Sequence, residues 1–180
     1  MENSNNDSAK WVLDPAHSEL TFKVKHLMIS NVKGEFKNFT AEIDNKDFKN
    51  GTAKVNIEAS SIFTNNTDRD NHLKSADFFD VENYPAITFE STNFTKVDDD
   101  EYKLKGMLTI KGVSKEVLLD VEFGGTNKDP WGNTKAGFSF SGKINRKDWE
   151  LNWNAALETG GVLVSDEVKI SGEVQFVKQA

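Results

Sequence analysis

Residues 18–26 read SELTFKVKH, and this stretch indicates the fold class of the chain. Apolar residues alternate with polar or charged ones from Leu20 to Lys25. A period of two places one face of an extended segment against an apolar interior and the other in water. The pattern therefore predicts a β-strand with Leu20, Phe22 and Val24 facing inward.

The same alternation recurs along most of the chain. It appears in TAKVNIEAS (52–60), EYKLKGMLTIKG (101–112), KEVLLDVEF (115–123) and EVKISGEVQF (167–176). Turn-forming residues separate the runs, at 45–51, 96–100, 124–133 and 144–148. About eight or more strands of this kind predict an all-β antiparallel sandwich or up-and-down barrel, and long strands with little helix favour the barrel.

The length of the chain and its first residues indicate the domain organisation. A chain of 180 residues fits one domain that can bury a core or enclose a cavity. We expect residues 1–9 to be a disordered tail and residues 10–180 to form the barrel domain. The polar start carries no export signal, which predicts a cytoplasmic protein, or a periplasmic one if a signal has been removed. No apolar run reaches the roughly 18 residues of a membrane span.

Composition excludes several classes of function. The formal net charge is −7, with 22 basic and 29 acidic residues, and no basic block stands out. The chain is thus a poor candidate for binding nucleic acid or an anionic membrane surface, because both affinities rest on basic side chains. It has no cysteine, so disulfides, thiolate metal sites and cysteine nucleophiles are excluded.

Residues 68–85, DRDNHLKSADFFDVENYP, interrupt the strand pattern. Polar capping residues ahead of Leu73 predict a short helix, and the aromatic residues behind it predict a lid over one barrel end. Asp68, Asp70 and His72 have metal-ligand chemistry, but alternate residues of a helical turn diverge. The glycine and glutamate of a calcium-binding EF-hand loop are also missing. We predict no metal site here.

No catalytic residue emerges from the motifs. The chain has three histidines and no G-x-S-x-G elbow, so a nucleophilic triad is not expected. A pair of carboxylates acting as in glycosidases stays open, because separations cannot be read from sequence. The 13 Phe and 4 Trp allow two interpretations: they form a packed core, or they form the wall of an apolar cavity.

Four segments resemble the YceI-like family of polyisoprenoid-binding, lipocalin-like bacterial proteins. They are WVLDPAHSELTFKVKHLMISNVKGEF (11–36), HLKSADFFDVENYPAITFES (72–91), GMLTIKGVSKEVLLDVEF (106–123) and FSFSGKINRKDWELNWN (138–154). The resemblance covers about residues 10 to 178.

This resemblance implies an extended eight-stranded antiparallel lipocalin-like barrel with a short helical segment at its mouth. It implies a non-catalytic protein without cofactor that carries or stores a long apolar ligand, such as a polyisoprenoid or an isoprenoid quinone. Family members often dimerise, so a homodimer is expected. Two alternatives stay open: an enzyme on the same barrel that uses His72 or a carboxylate pair on a lipid, and a filled-core interaction domain.

The expected ligand contacts fall into two groups. The predicted lining residues are Leu20, Phe22, Val24, Phe36, Ile57, Phe78, Phe79, Phe89, Phe138 and Phe140. The residues predicted to hold the head group are Arg69, Asp70 and His72. Apolar lining would supply affinity through burial of the chain, while a few polar groups at the mouth would orient the ligand.

Overall fold

Eleven β-strands and one α-helix make up the described part of the chain. A computed structural model describes residues 10–27, 29–44, 51–154 and 163–179. The predicted tail, residues 1–9, and most of the predicted turn 45–51 lie outside this range. The strands are β1 (Trp11–Leu13), β2 (Glu19–His26), β3 (Ser30–Phe36), β4 (Phe39–Ile43), β5 (Ala53–Glu58), β6 (Ile62–Phe63), β7 (Ala86–Lys96), β8 (Glu101–Ile110), β9 (Val113–Lys128), β10 (Thr134–Asn145) and β11 (Val164–Lys178), and the helix is α1 (Thr67–Lys74).

All strand pairings are antiparallel and the sheet closes on itself. The order is β1-β4-β5-β7-β8-β9-β10-β11-β2-β3-β6, with β1 also pairing β11. The short 3-10 turn Pro15–His17 joins β1 to β2, and β3 and β4 are separated by two residues, so each pair serves as one long bent strand. The closed sheet therefore has eight strands. The predicted eight-stranded antiparallel barrel is confirmed.

The alternation of the sequence places apolar side chains inside the barrel. Ile57, Ile87 and Phe89 are buried, and so are most of the inward apolar residues of β8 and β9. One buried cluster includes Trp149 and lies around these strands. A second forms at the seam of the barrel, where Trp11 packs with residues of β4, β10 and β11. The inward-facing strand predictions hold because a period of two matches the pleat.

Glycines face the interior beneath aromatic rings. A side chain added at Gly34 would overlap the ring of Phe22, and one at Gly106 would overlap the ring of Phe89. Gly34 and Phe22 are direct cross-strand partners on β3 and β2. The missing side chain lets the ring lie against the wall of the barrel. The interior is thus lined with aromatic residues without being filled by them.

Helix α1 begins where the sequence predicts capping. Asn66 accepts a hydrogen bond from the backbone N–H of Arg69 at 3.0 Å, which satisfies an otherwise free donor of the first turn. Acidic residues lie in the first turn and basic ones in the last, as the helix dipole favours. With eight residues, α1 is the longest helix among the described residues, and no helix among them is long and apolar enough to span a membrane.

One predicted turn is too long. The prediction placed a turn at 124–133, but β9 continues through Gly124 and Gly125 to Lys128, and the turn covers only the five residues that follow. Gly125 pairs with Gly137 of β10, and a register shift next to that pair accommodates the extra residue. Glycines usually mark turns, but here they occupy an irregular part of the ladder.

Candidate functional site

Two cavities occupy the barrel interior, one above the other. The upper cavity lies at the α1 end and has a volume of about 560 Å³. The lower cavity lies toward the β1 end and has a volume of about 170 Å³. Four apolar residues line both cavities, namely Leu20, Ile57, Leu108 and Ile170. These side chains form the constriction between two parts of one long apolar interior.

All ten predicted lining residues lie on the walls. Leu20 and Ile57 are at the constriction. The upper cavity also has Phe22, Val24, Phe36, Phe78 and Phe79, and the lower one has Phe89, Phe138 and Phe140. Phe36 links the barrel to the lid, because its ring centroid lies 5.8 Å from that of Phe22 and 5.9 Å from that of Phe79. The structure brings these residues together, and their contact with a ligand stays a prediction.

Arg69 of α1 lies at the mouth of the upper cavity. Its Nε donates to Thr64 Oγ1 at 2.7 Å and its Nη2 donates to the Thr64 carbonyl at 2.6 Å. These bonds hold the guanidinium in place beside the cavity it lines. The third nitrogen, Nη1, makes no hydrogen bond to a described residue, so both of its N–H groups are available to another group.

Asp70 is not among the residues that line the upper cavity, and its contact with a head group stays a prediction. Its side chain is buried beneath α1, where Oδ1 accepts from the backbone N–H and the hydroxyl of Thr64 at 2.9 and 2.5 Å. A carboxylate at the fourth helical position points away from the mouth when its neighbour Arg69 points toward it. Asp70 therefore anchors the chain segment that carries the helix.

His72 lies on the cavity wall within an aromatic cluster. Its ring packs edge-on against Phe78 at 5.1 Å and against Trp153 at 4.7 Å between centroids. Nε2 lies 2.8 Å from Oδ2 of Asp77, which is on the exposed side. His72 thus joins the lid to the segment after β10 and keeps part of its ring toward the mouth.

The D-x-D-x-H spacing does not gather its side chains at one point. Asp70 is bonded to Thr64 and His72 to Asp77, while Asp68 is exposed at the cavity rim. Among the described residues, no three His, Asp or Glu side chains are arranged to hold a metal ion. Alternate residues of the helical turn diverge, as expected for a period near 3.6.

Arg146 is a wall residue that sequence reasoning missed. It is only 4% exposed and lines the upper cavity. Its guanidinium donates to the carbonyls of Leu151, Trp153, Val164 and Ser165, with the last at 2.9 Å from Nε. Burial lowers the pKa of this guanidinium, and the negative charge of Asp166 partly offsets that effect. The signal was present as the Arg-Lys-Asp turn, which was interpreted only as a turn.

The Arg146 bonds fix the segment that closes the mouth opposite α1. They tie Leu151 and Trp153 to the start of β11, so that Trp153 can meet His72 and Phe78. Trp149 is fully buried nearby, and its Nε1 donates to the carbonyl of Leu108 at 2.9 Å. That bond connects the turn after β10 with the strand that carries the constriction.

The charges around the upper cavity are mainly positive. Lys25, Arg69 and Arg146 line it, while Asp68 is the acidic residue of the same set. The four nitrogen–carbonyl bonds of Arg146 use most of its donors, so Arg69 and Lys25 supply the accessible ones. The site combines an apolar interior with cationic donors at one end, which suits an elongated amphipathic molecule.

The fold and the cavity define a hollow eight-stranded barrel with an apolar interior and a polar mouth. The sequence profile of the YceI-like domain matches residues 11–176, and the chain belongs to this family. A UPF0312 protein of Staphylococcus aureus is 44% identical over 169 residues, which cover 92% of this chain and 96% of that protein. A UPF0312 protein of Staphylococcus epidermidis is 44% identical over 170 residues, covering 93% and 96%. The predicted resemblance is confirmed.

Solved structures share the architecture. The YceI protein of Campylobacter jejuni is 39% identical, with a TM-score of 0.75 over 87% of this chain and 90% of that one. BcnA of Burkholderia cenocepacia is 24% identical, with a TM-score of 0.78 over 91% and 98%. A polyisoprenoid-binding domain of Saccharophagus degradans, implicated in plant cell wall breakdown, is 16% identical, with a TM-score of 0.67 over 95% and 99%. The last two support the fold alone.

Proposed function

We propose that this protein binds a long-chain lipid in its barrel and carries or stores it without chemical change. The observation that carries the proposal is the pair of cavities that share Leu20, Ile57, Leu108 and Ile170. A hydrocarbon chain entering at the α1 end would pass this constriction and continue toward the seam. Each buried CH₂ group would contribute about 0.8 kcal/mol, so length would set affinity. The name of the Saccharophagus degradans domain, a polyisoprenoid-binding protein, agrees with this proposal.

The head group would stay at the mouth, next to Arg69. Nη1 of Arg69, together with Lys25 on the wall of the same cavity, favours a group that accepts hydrogen bonds and carries negative charge, such as a phosphate. His72 lines the same cavity, and its contact with the head group is part of the proposal. A quinone could accept from the same donors, with less gain from charge.

The observed geometry supports binding over its two alternatives. A filled-core domain would have no connected interior space, whereas this barrel holds two adjoining cavities. An enzyme would need a base within reach of a reacting group. Here Asp70 is engaged with Thr64 and His72 with Asp77 and two rings. These bonds hold the lid in place, and we infer that they serve structure.

Native mass spectrometry of protein purified from its own host, followed by lipid extraction, tests the proposal. We expect a stoichiometric long-chain lipid. In the variant Leu20→Phe, the added volume at the constriction should shorten the longest chain that the protein retains, because the lower cavity becomes harder to reach. The ring of Phe140 already lies over Gly172, the cross-strand partner of Leu20, so a denaturation curve should accompany the measurement to show that Leu20→Phe is folded.

The matched control is Leu118→Phe, the same substitution on the outer face of β9, where the side chain is 53% exposed. It should leave the bound lipids unchanged. A wild-type protein that is free of lipid and takes up no added polyprenyl compound would overturn the proposal. Conversion of an added lipid into product would favour the enzyme alternative instead.

A further inference from the structure

A row of four lysines crosses four neighbouring strands on the outer face of the barrel. Lys33 of β3 lies opposite Lys23 of β2, Lys23 lies opposite Lys169 of β11, and Lys169 lies opposite Lys143 of β10. Strands are about 4.8 Å apart, so the row spans about 14 Å. All four side chains line one open groove of about 940 Å³. We call this set the lysine row.

Cross-strand charge pairs elsewhere on the barrel are of both kinds. Two glutamate pairs, Glu19–Glu173 and Glu101–Glu122, set like charges opposite each other. Lys54 of β5 instead lies between Glu42 of β4 and Glu90 of β7, so charges of opposite sign alternate there. Alternation of that kind is favourable, while like charges directly opposite each other are destabilising. The lysine row is thus an arrangement that costs stability in a chain with a net charge of −7.

The acidic groups near the lysine row only partly offset it. Lys143 lies 4.0 Å from Glu167, and both side chains are more than half exposed. Glu35 and Asp120 also line the groove, but Asp120 is paired with Lys103, outside the row. An anionic surface placed over the groove would relieve the remaining repulsion among the lysines.

Exposed apolar side chains adjoin the lysine row. The two strands at one end, β2 and β3, lead into a hairpin tip where Leu27 is 39% exposed and Ile29 is 85% exposed. The backbone N–H of Leu27 donates to the carbonyl of Leu163, and both Leu163 and His26 line the upper cavity. The tip therefore lies beside the mouth of the cavity.

The net charge alone predicts weak binding to an anionic membrane, but strand register gathers lysines that lie apart in the sequence. We therefore propose that the lysine row and the hairpin tip dock this protein on an anionic lipid bilayer. Lysines near such a surface are attracted to its head groups, and an apolar tip inserts at the boundary with the acyl chains. The acidic remainder of the molecule would be repelled, which would turn the tip and the cavity mouth toward the membrane. An apolar tip next to a ligand entrance favours a bilayer over an acidic protein or a free polyanion. This inference rests on the proposed function as a lipid carrier. It adds that the protein would take up its lipid at the membrane surface.

Co-sedimentation with vesicles tests the docking surface. We expect the protein to bind phosphatidylcholine vesicles that contain about 30 mol% phosphatidylglycerol, and to bind pure phosphatidylcholine weakly. Raising the salt from about 50 to about 300 mM should release most of it, because exposed charges are screened. The double variant Lys23→Gln/Lys169→Gln should bind at least about tenfold more weakly. Ile29→Ser should weaken binding even at low salt.

The control is Lys54→Gln/Lys128→Gln, which changes the net charge equally on exposed positions outside the groove. It should bind anionic vesicles like the wild type. Equal loss in both double variants would show that only net charge matters and would overturn the proposal, as would absence of binding to anionic vesicles. Native mass spectrometry of the same variants separates the docking proposal from the lipid-carrier proposal. If the protein retains lipid but does not bind vesicles, only the docking proposal is contradicted. If it binds vesicles but carries no lipid, the lipid-carrier proposal is contradicted.

Discussion

At the scale of single residues, Asp14 joins the barrel seam to β10. It follows β1, and its carboxylate accepts from the backbone N–H of Ala16 at 3.1 Å. The same group meets Nδ1 of His17 at 3.0 Å and Nζ of Lys135 at 3.0 Å. The hydrogen bonds with His17 and Lys135 hold the pKa of the Asp14 carboxyl below its usual value. The ionised form therefore contributes to folding stability.

The lowered pKa of Asp14 makes the folding stability depend on pH. Because the pKa of Asp14 is lower in the folded state, its contribution is complete above the unfolded value near pH 4 and is lost as the pH falls through the folded value. Asp14→Asn should reduce the free energy of unfolding by about 1 kcal/mol at pH 7. The difference from wild type should shrink toward pH 3.

Urea denaturation at several pH values measures this effect. The control is Asp99→Asn, an exposed position in the turn between β7 and β8 that changes the net charge by the same amount. A constant difference between Asp14→Asn and wild type from pH 7 to about pH 3 would contradict the linkage.

At the scale of elements, the β2–β3 hairpin keeps the upper cavity open through Gly34. A methyl group at this position would overlap the ring of Phe22, which lies against β3 and lines the cavity. Gly34→Ala should push the ring into the cavity and lower lipid uptake, with a loss of about 1–3 kcal/mol in the free energy of unfolding. Titration with a fluorescent polyprenyl analogue, next to a denaturation curve, measures both.

Gly137→Ala is the matched control for that prediction. Gly137 lies in β10, and no atom of another residue lies within 4 Å of a methyl group placed there. This variant should take up lipid as the wild type does. If the two alanine variants retain lipid equally well, the ring of Phe22 does not limit the space in the upper cavity.

At the scale of the whole molecule, β1 closes the barrel. Its three residues pair with β11, two of them also pair with β4, and Trp11 is only 3% exposed within the seam cluster. Trp11→Ala should lower the free energy of unfolding by about 3–5 kcal/mol, because the lost side chain leaves a cavity at the seam. Trp131→Ala, at an 82% exposed position in the turn after β9, should change it by less than about 0.5 kcal/mol.

Thermal denaturation of both tryptophan variants measures the difference. Equal melting temperatures would show that the seam does not depend on Trp11. Leu13 and Ile43 belong to the same seam and line the lower cavity. The amount of lipid bound by Trp11→Ala would therefore report whether closure of the sheet also limits this cavity.

The local sequence pattern was enough to predict the strands, the inward faces and the capped helix. These features are local, since a period of two, a capping residue or a turn acts through neighbours along the chain. It therefore predicted an antiparallel sandwich or barrel with Phe22 facing inward. The resemblance of four segments identified the family and implied the eight-stranded barrel, and the lining and head-group residues, Arg69 and His72 among them, were predicted on that basis.

Only the tertiary structure decided which residues meet across the barrel. Arg146 became a wall residue because its donors find carbonyls on two separate segments, and Asp70 turned to Thr64 because the helix buries that face. The lysine row exists only because β3, β2, β11 and β10 pair in a particular register. No basic block in the sequence predicts it. Contacts between residues far apart in sequence depend on strand register and closure, which the local pattern does not encode.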